Sequence, residues 1–112
     1  MDYNSEIEIE DITVTVGETI DLTFNFYEND VLTDLTGQQL DAHVETSSGT
    51  IIKDWSTAGA SPKITISTSS YNITDLTPFT SRGRYFYDIK KTDGTDIKVI
   101  RKGGFNVLNN IT

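Results

Sequence analysis

Gly83-Arg84-Tyr85-Phe86-Tyr87-Asp88-Ile89, then Asp93-Gly94, then Ile97-Lys98-Val99-Ile100-Arg101-Lys102-Gly103-Gly104-Phe105-Asn106-Val107, is the stretch that decides the fold. Aromatic and β-branched residues recur in it at every second position, so it reads as a long strand, a tight turn and a second long strand. Asp93-Gly94 is a favoured type I′ pair, and at the tip it sets the register between the two arms. The paired glycines Gly103-Gly104 lack the spacing of a phosphate cradle and read as a bulge or a close approach by another backbone.

Working back towards the N-terminus, the same period returns in short pieces. Ile20, Leu22, Phe24 and Phe26 alternate with Asp21, Thr23 and Asn25, the pattern of a strand with one face in a core. Ile7, Ile9, Ile12, Val14 and Val16 form two runs whose phase slips at Glu10-Asp11, which predicts a bulge or a strand that changes sheets. Asn29-Asp30 reads as a turn. Leu32 to Gly37 is a short extended piece, and Leu40, Ala42 and Val44 alternate again. Ser47-Ser48-Gly49-Thr50 closes a hairpin onto Ile51 to Trp55, with Trp55 as the large plug of a small core or its rim. Residues 56–62 form a loop, and Lys63 to Ser67 a strand. Tyr71 to Leu76 is another strand or an irregular edge segment, since Pro78 argues against a central strand there, and a short helical turn between Ser70 and Phe79 is the alternative.

About seven to nine short strands joined by turns imply an all-β chain of two packed antiparallel sheets, with a barrel as the alternative closure. At 112 residues the chain is one domain, 1–112, with residues 1–5 as a flexible lead-in. The absence of cysteine excludes disulfides, thiolate metal sites and a cysteine nucleophile. No apolar run reaches membrane-spanning length, and the first residues lack the pattern of an export signal.

Charge is polarised along the chain. The formal net charge is -8, residues 1–52 carry twelve acidic side chains and no lysine or arginine, and residues 82–102 carry seven basic and three acidic ones. The overall sign disfavours nucleic acid. Either the two ends lie side by side within one sandwich, or an acidic face of one copy meets the basic hairpin of the next. The candidate protein interface is therefore Glu6, Glu8, Glu10, Arg82, Arg84, Lys98, Arg101 and Lys102, and charge reversal at Arg84 and Arg101 is expected to weaken association.

Side chains with chemical potential are sparse. His43 is the sole histidine and has no partner at ligand spacing. Asn29, Asp30 and Asp34 offer oxygen atoms without the spacing of a calcium loop. Trp55, Tyr71, Tyr85 and Tyr87 are the candidate glycan platform, to be weighed against core or interface roles. Asn72-Ile73-Thr74 and Asn110-Ile111-Thr112 match a glycosylation pattern only formally. No cofactor is expected, no catalytic residue is assigned, and the expectation is a chain that is not an enzyme.

Leu35-Thr36-Gly37, the Gly83 to Ile89 run, the Asp93-Gly94 turn, the Arg101 to Val107 run and the terminal Ile111-Thr112 together resemble the small immunoglobulin-like modules of tailed-phage virion proteins, notably the N-terminal domain of baseplate upper proteins. The resemblance implies an immunoglobulin-like β-sandwich that serves tail, baseplate or neck assembly without catalysis. It also implies synthesis in the bacterial host cytoplasm, residence in the virion, and partners that are other phage structural proteins and copies of the same chain. A carbohydrate-binding accessory module and a cell-surface adhesion domain are the alternatives.

Overall fold

The computed structural model describes residues 7–109. Among these residues there is no helix; the strands are β1 (Glu8–Ile9), β2 (Ile12–Thr15), β3 (Ile20–Asn25), β4 (Tyr27–Glu28), β5 (Val31–Leu32), β6 (Gln39–Glu45), β7 (Ile51–Ser56), β8 (Ile64–Ser67), β9 (Ser70–Asp75), β10 (Gly83–Asp93) and β11 (Asp96–Leu108). The eleven exceed the seven to nine expected because β1, β4 and β5 are only two residues long. The lead-in 1–5, Glu6 and the Asn110-Ile111-Thr112 triplet lie outside the described residues.

The strands form a six-stranded sheet in the order β1-β11-β10-β6-β7, with β2 following β1 along the same edge of β11, a three-stranded sheet in the order β3-β9-β8, and the β4-β5 hairpin. Every pairing is antiparallel except those of β1 and β2, which run parallel to β11. The two larger sheets keep open edges and share one core, so the chain is a sandwich-like all-β globule and not a closed barrel.

The core follows from the alternation. In the smaller sheet Leu22, Ile73 and Ile64 form one inward row and Phe24, Tyr71 and Ile66 the next, because register places them side by side. In the larger sheet Leu40, Ala42 and Val44 of β6, Tyr87 and Ile89 of β10, and Phe105 and Val107 of β11 face them. Phe105 is the hub, with ring centroids 5.4 Å from Phe79, 6.1 Å from Tyr87 and 6.3 Å from Trp55. Truncating such a fully enclosed ring costs about 3–5 kcal/mol in comparable cores.

Three local expectations change. β9 is the central strand of its sheet, paired with β3 on one side and β8 on the other, and it leaves no room for a helical turn before Asp75; Pro78 stands beyond its end. The tip of the last hairpin is Gly94-Thr95, between the paired Asp93 and Asp96, and only Gly94 has positive φ, at 66°. That is the signature of a type II′ turn, one residue later than the Asp93-Gly94 type I′ reading. The type I′ pattern occurs instead at Asn29 and Asp30, with φ of 53° and 63°, joining β4 to β5. Thirdly, the phase slip at Glu10-Asp11 is a break between β1 and β2 within one sheet edge, not a change of sheets.

Candidate interaction surface

The two charged ends meet inside the chain. Glu8 lies opposite Arg101 and Ile9 opposite Lys102, while Ile12 lies opposite Phe105, so Glu10 and Asp11 pass alongside Gly103 and Gly104. The Glu10 amide donates to the Lys102 carbonyl at 3.0 Å, and the Gly104 amide donates to Asp11 Oδ1 at 2.9 Å. Tyr87, opposite Gly103 on the other side, donates its hydroxyl to the Glu10 carbonyl at 2.7 Å. A Cβ on Gly103 would stand 2.2 Å from that carbonyl oxygen, which is the close backbone approach expected of the glycine pair.

Arg101 is where the interface expectation fails. A bulge in the β10–β11 ladder leaves Ile100 unpaired between Val99 and Arg101, and both Ile100 and Arg101 are then buried. Arg101 is only 7% exposed. Its guanidinium carbon lies 4.3 Å from the centre of the Phe24 ring across the sandwich, and Nη1 donates to Glu10 Oε1. A buried, internally paired arginine cannot meet a partner, so its charge reversal tests folding instead of association. Arg84 is exposed and leans on Asp11 at 3.7 Å and Asn106 Oδ1 at 3.2 Å. Lys98 lies 3.7 Å from Asp96 near the hairpin tip, and Arg82 and Lys102 are exposed without an ion pair among the described residues.

The glycan platform is not assembled. Tyr71, Trp55 and Tyr87 are 2%, 3% and 5% exposed, which makes them core residues. Burial raises the Tyr71 phenol and pushes Tyr87 up to about 12, with Arg101 acting against both shifts. Trp55 donates its indole N–H to Asp75 Oδ2 at 2.8 Å, and Lys53 Nζ reaches the same oxygen at 3.3 Å and the Thr77 carbonyl at 2.8 Å. Only Tyr85 is partly accessible, stacked on Phe79 beside a shallow groove of about 390 Å³ that Ile52 and Pro78 also line.

The remaining candidates have local partners. Asp34 Oδ1 accepts from the Thr36 amide at 2.8 Å, and hydrogen bonds from the Thr36 hydroxyl and amide hold its carboxyl below the usual value. Asn72 Nδ2 donates to Asp21 Oδ1 at 2.7 Å and Thr23 Oγ1 at 3.0 Å. Among the described residues no three His, Cys, Asp or Glu side chains converge as a metal site.

What the structure brings together on the surface is the outward face of the larger sheet. Phe86, 42% exposed, sits in the middle of β10 between Gly104 of β11 and Glu45 of β6, with Ile51 of β7 beyond Glu45. Lys102, Asp88, His43 and Asp54 form the next row across four strands, and Lys90 lies opposite Asp41 further along. Phe86, Ile51, Asp88, Asp41, Asp54 and Lys90 were not among the interface candidates. The usable signal was parity: Phe86 occupies the polar phase of a strand whose apolar phase is Tyr85, Tyr87 and Ile89. No protein-family model matches the chain, and no curated protein matches it in sequence.

Proposed function

We propose that this chain is a non-enzymatic structural module of a tailed-phage virion, an immunoglobulin-like sandwich that acts through its protein surfaces in tail, baseplate or neck assembly. Strand order supports the fold half of this reading. An immunoglobulin-type sandwich places its second, fifth and fourth strands in one sheet and its third, sixth and seventh in the other. Taking β3, β6, β8, β9, β10 and β11 as the second to seventh strands reproduces that partition, with β7 as an extra strand beside β6. The observation that carries the functional half is the contrast between interior and surface. Asp75, Trp55, Lys53, Glu10, Arg101 and Tyr87 are consumed in holding the sandwich together, whereas the outward sheet face carries the exposed Phe86 together with Lys102, Asp88, Lys90 and Asp41, which are in no ion pair among the described residues. Its partners in this reading are other phage structural proteins and further copies of itself, met in the virion after synthesis in the host cytoplasm.

Quantitative mass spectrometry of purified tailed-phage particles made by the genome that carries this gene tests the reading. The chain is expected at fixed stoichiometry to the other tail proteins across gradient fractions. Absence from intact, infectious particles refutes it.

A further inference from the structure

We infer that the outward face of the six-stranded sheet is a self-complementary docking surface, and that its occupant is a second copy of this chain packed face to face about a two-fold axis. The inference rests on the assembly reading and names the partner within it.

Charged side chains follow a definite order across the strands of this face. Register pairs Lys102 with Asp88, Asp88 with His43 and His43 with Asp54, so the row from β11 to β7 reads lysine, aspartate, histidine, aspartate. In the row beyond, Lys90 of β10 pairs with Asp41 of β6. An axis in the interface, parallel to the strands and midway between β10 and β6, exchanges those two strands and also exchanges β11 with β7. It therefore sets Lys102 against Asp54 of the second copy, Asp88 against its His43, and Lys90 against its Asp41, each contact occurring twice. The row of Gly104, Phe86, Glu45 and Ile51 follows the same operation, which sets Phe86 against Glu45 of the second copy and Ile51 against the Arg84–Asp11 pair that covers Gly104. Aligned sheets pack about 10 Å apart, within reach of paired long side chains.

Of these six side chains, only His43 and Asp54 approach within ion-pair distance of each other among the described residues, at 3.2 Å, and Asp41 accepts a hydrogen bond from Gln39 Nε2 at 2.9 Å. Asp88 Oδ1 is covered by its neighbours and accepts no hydrogen bond there. A partner of unrelated sequence gives no reason for Lys102 to be matched by Asp54, and Lys90 by Asp41, across the β10–β6 line, whereas the two-fold packing of a second copy uses both matches.

Sedimentation velocity at low salt tests the inference. The mean mass is expected to rise from 12.5 kDa towards twice that value between micromolar and about millimolar concentration, and to fall back as salt is added. Lys102→Asp and Asp54→Lys, both on exposed side chains, each bring like charges together twice and should weaken self-association about tenfold or more. Mixing the two variants makes each new charge opposite to its neighbour, so association should return as a heterodimer, which an unfolded variant cannot produce. A wild-type chain that stays monomeric, self-association untouched by both reversals, or a mixture that stays monomeric overturns the inference. Detection of the chain in virions alongside a monomeric wild type overturns this interface alone, and absence from virions alongside an intact dimer overturns the virion reading alone.

Discussion

Gly103 is the point where the link between β1 and β2, the last strand and Tyr87 touch, and replacing it with alanine perturbs all three at once. The new Cβ would stand 2.2 Å from the Glu10 oxygen and 2.8 Å from the Glu10 carbonyl carbon, against an ordinary contact of at least 3.4 Å. Because the obstacle is backbone, relief requires the Glu10 segment to move out by about 1 Å. A shift of that size breaks the 2.7 Å bond from the Tyr87 hydroxyl and the 3.0 Å bond from the Glu10 amide to Lys102. At about 1 kcal/mol each, with residual crowding added, Gly103→Ala should cost about 2–4 kcal/mol. Gly104→Ala is the control: its Cβ would meet Arg84 Nη2 at 2.6 Å, but that exposed guanidinium can swing aside, so the cost should be about 1 kcal/mol or less. The assay is equilibrium urea unfolding of both variants and of Gly103→Ala combined with Tyr87→Phe. The combination should be less than additive because both changes remove the same hydrogen bond. A Gly103→Ala cost no larger than that of Gly104→Ala refutes the reasoning.

Thr68, a β-branched residue held at φ 56° in the β8–β9 turn, is strained by about 1–2 kcal/mol, so Thr68→Asn should stabilise by about 0.5 kcal/mol or more; a lowered Tm would contradict this. Burial raises the Asp75 carboxyl, but hydrogen bonds from Trp55, Thr77 and Lys53 outweigh it and leave the pKa below the usual value. The stability that Asp75 contributes is thus present above its unfolded value of about 3.9 and lost as pH falls through the lower folded value, so Asp75→Asn should flatten the acid limb of a stability–pH curve. Tyr87, with a folded pKa of about 12, contributes stability that is complete below an unfolded value of about 10 and disappears as pH rises through 12. Ultraviolet titration should show Tyr87→Phe removing one late-ionising phenol, and an unchanged titration curve would count against the burial argument.

Period-two alternation made most strands legible, because a half-buried strand must alternate and β3, β6, β10 and β11 do so over six or more residues. Two kinds of information were not in that signal. Alternation cannot register an extra residue, so the bulge at Ile100 turned Arg101 from an apparent surface charge into a core residue. Nor does it report what pairs with what: β9 read as an edge because Pro78 follows it, yet the proline lies past the last ladder bond and leaves Ser70–Asp75 free to pair on both sides. The glycine pair was legible as a close approach, but its partner, Glu10, was visible only once the ends were together. For the surface, lone charges were readable while their order across four strands was not, since that order exists only after register is set.

The parallel pairing of β1 and β2 with β11 has a mechanical corollary. When tension enters through one end of this chain and leaves through the other, the first and last strands are drawn in opposite directions along a common ladder. The bonds from Glu8 to Thr15 and from Arg101 to Leu108 then bear the load together in shear, whereas a hairpin pulled at its open end yields one bond at a time. The Glu10–Arg101 contact and the Tyr87 hydroxyl fasten the same seam from inside. Forced unfolding is governed by the barrier to rupture and not by equilibrium stability, so this edge is the clamp that sets how large a pull the module withstands.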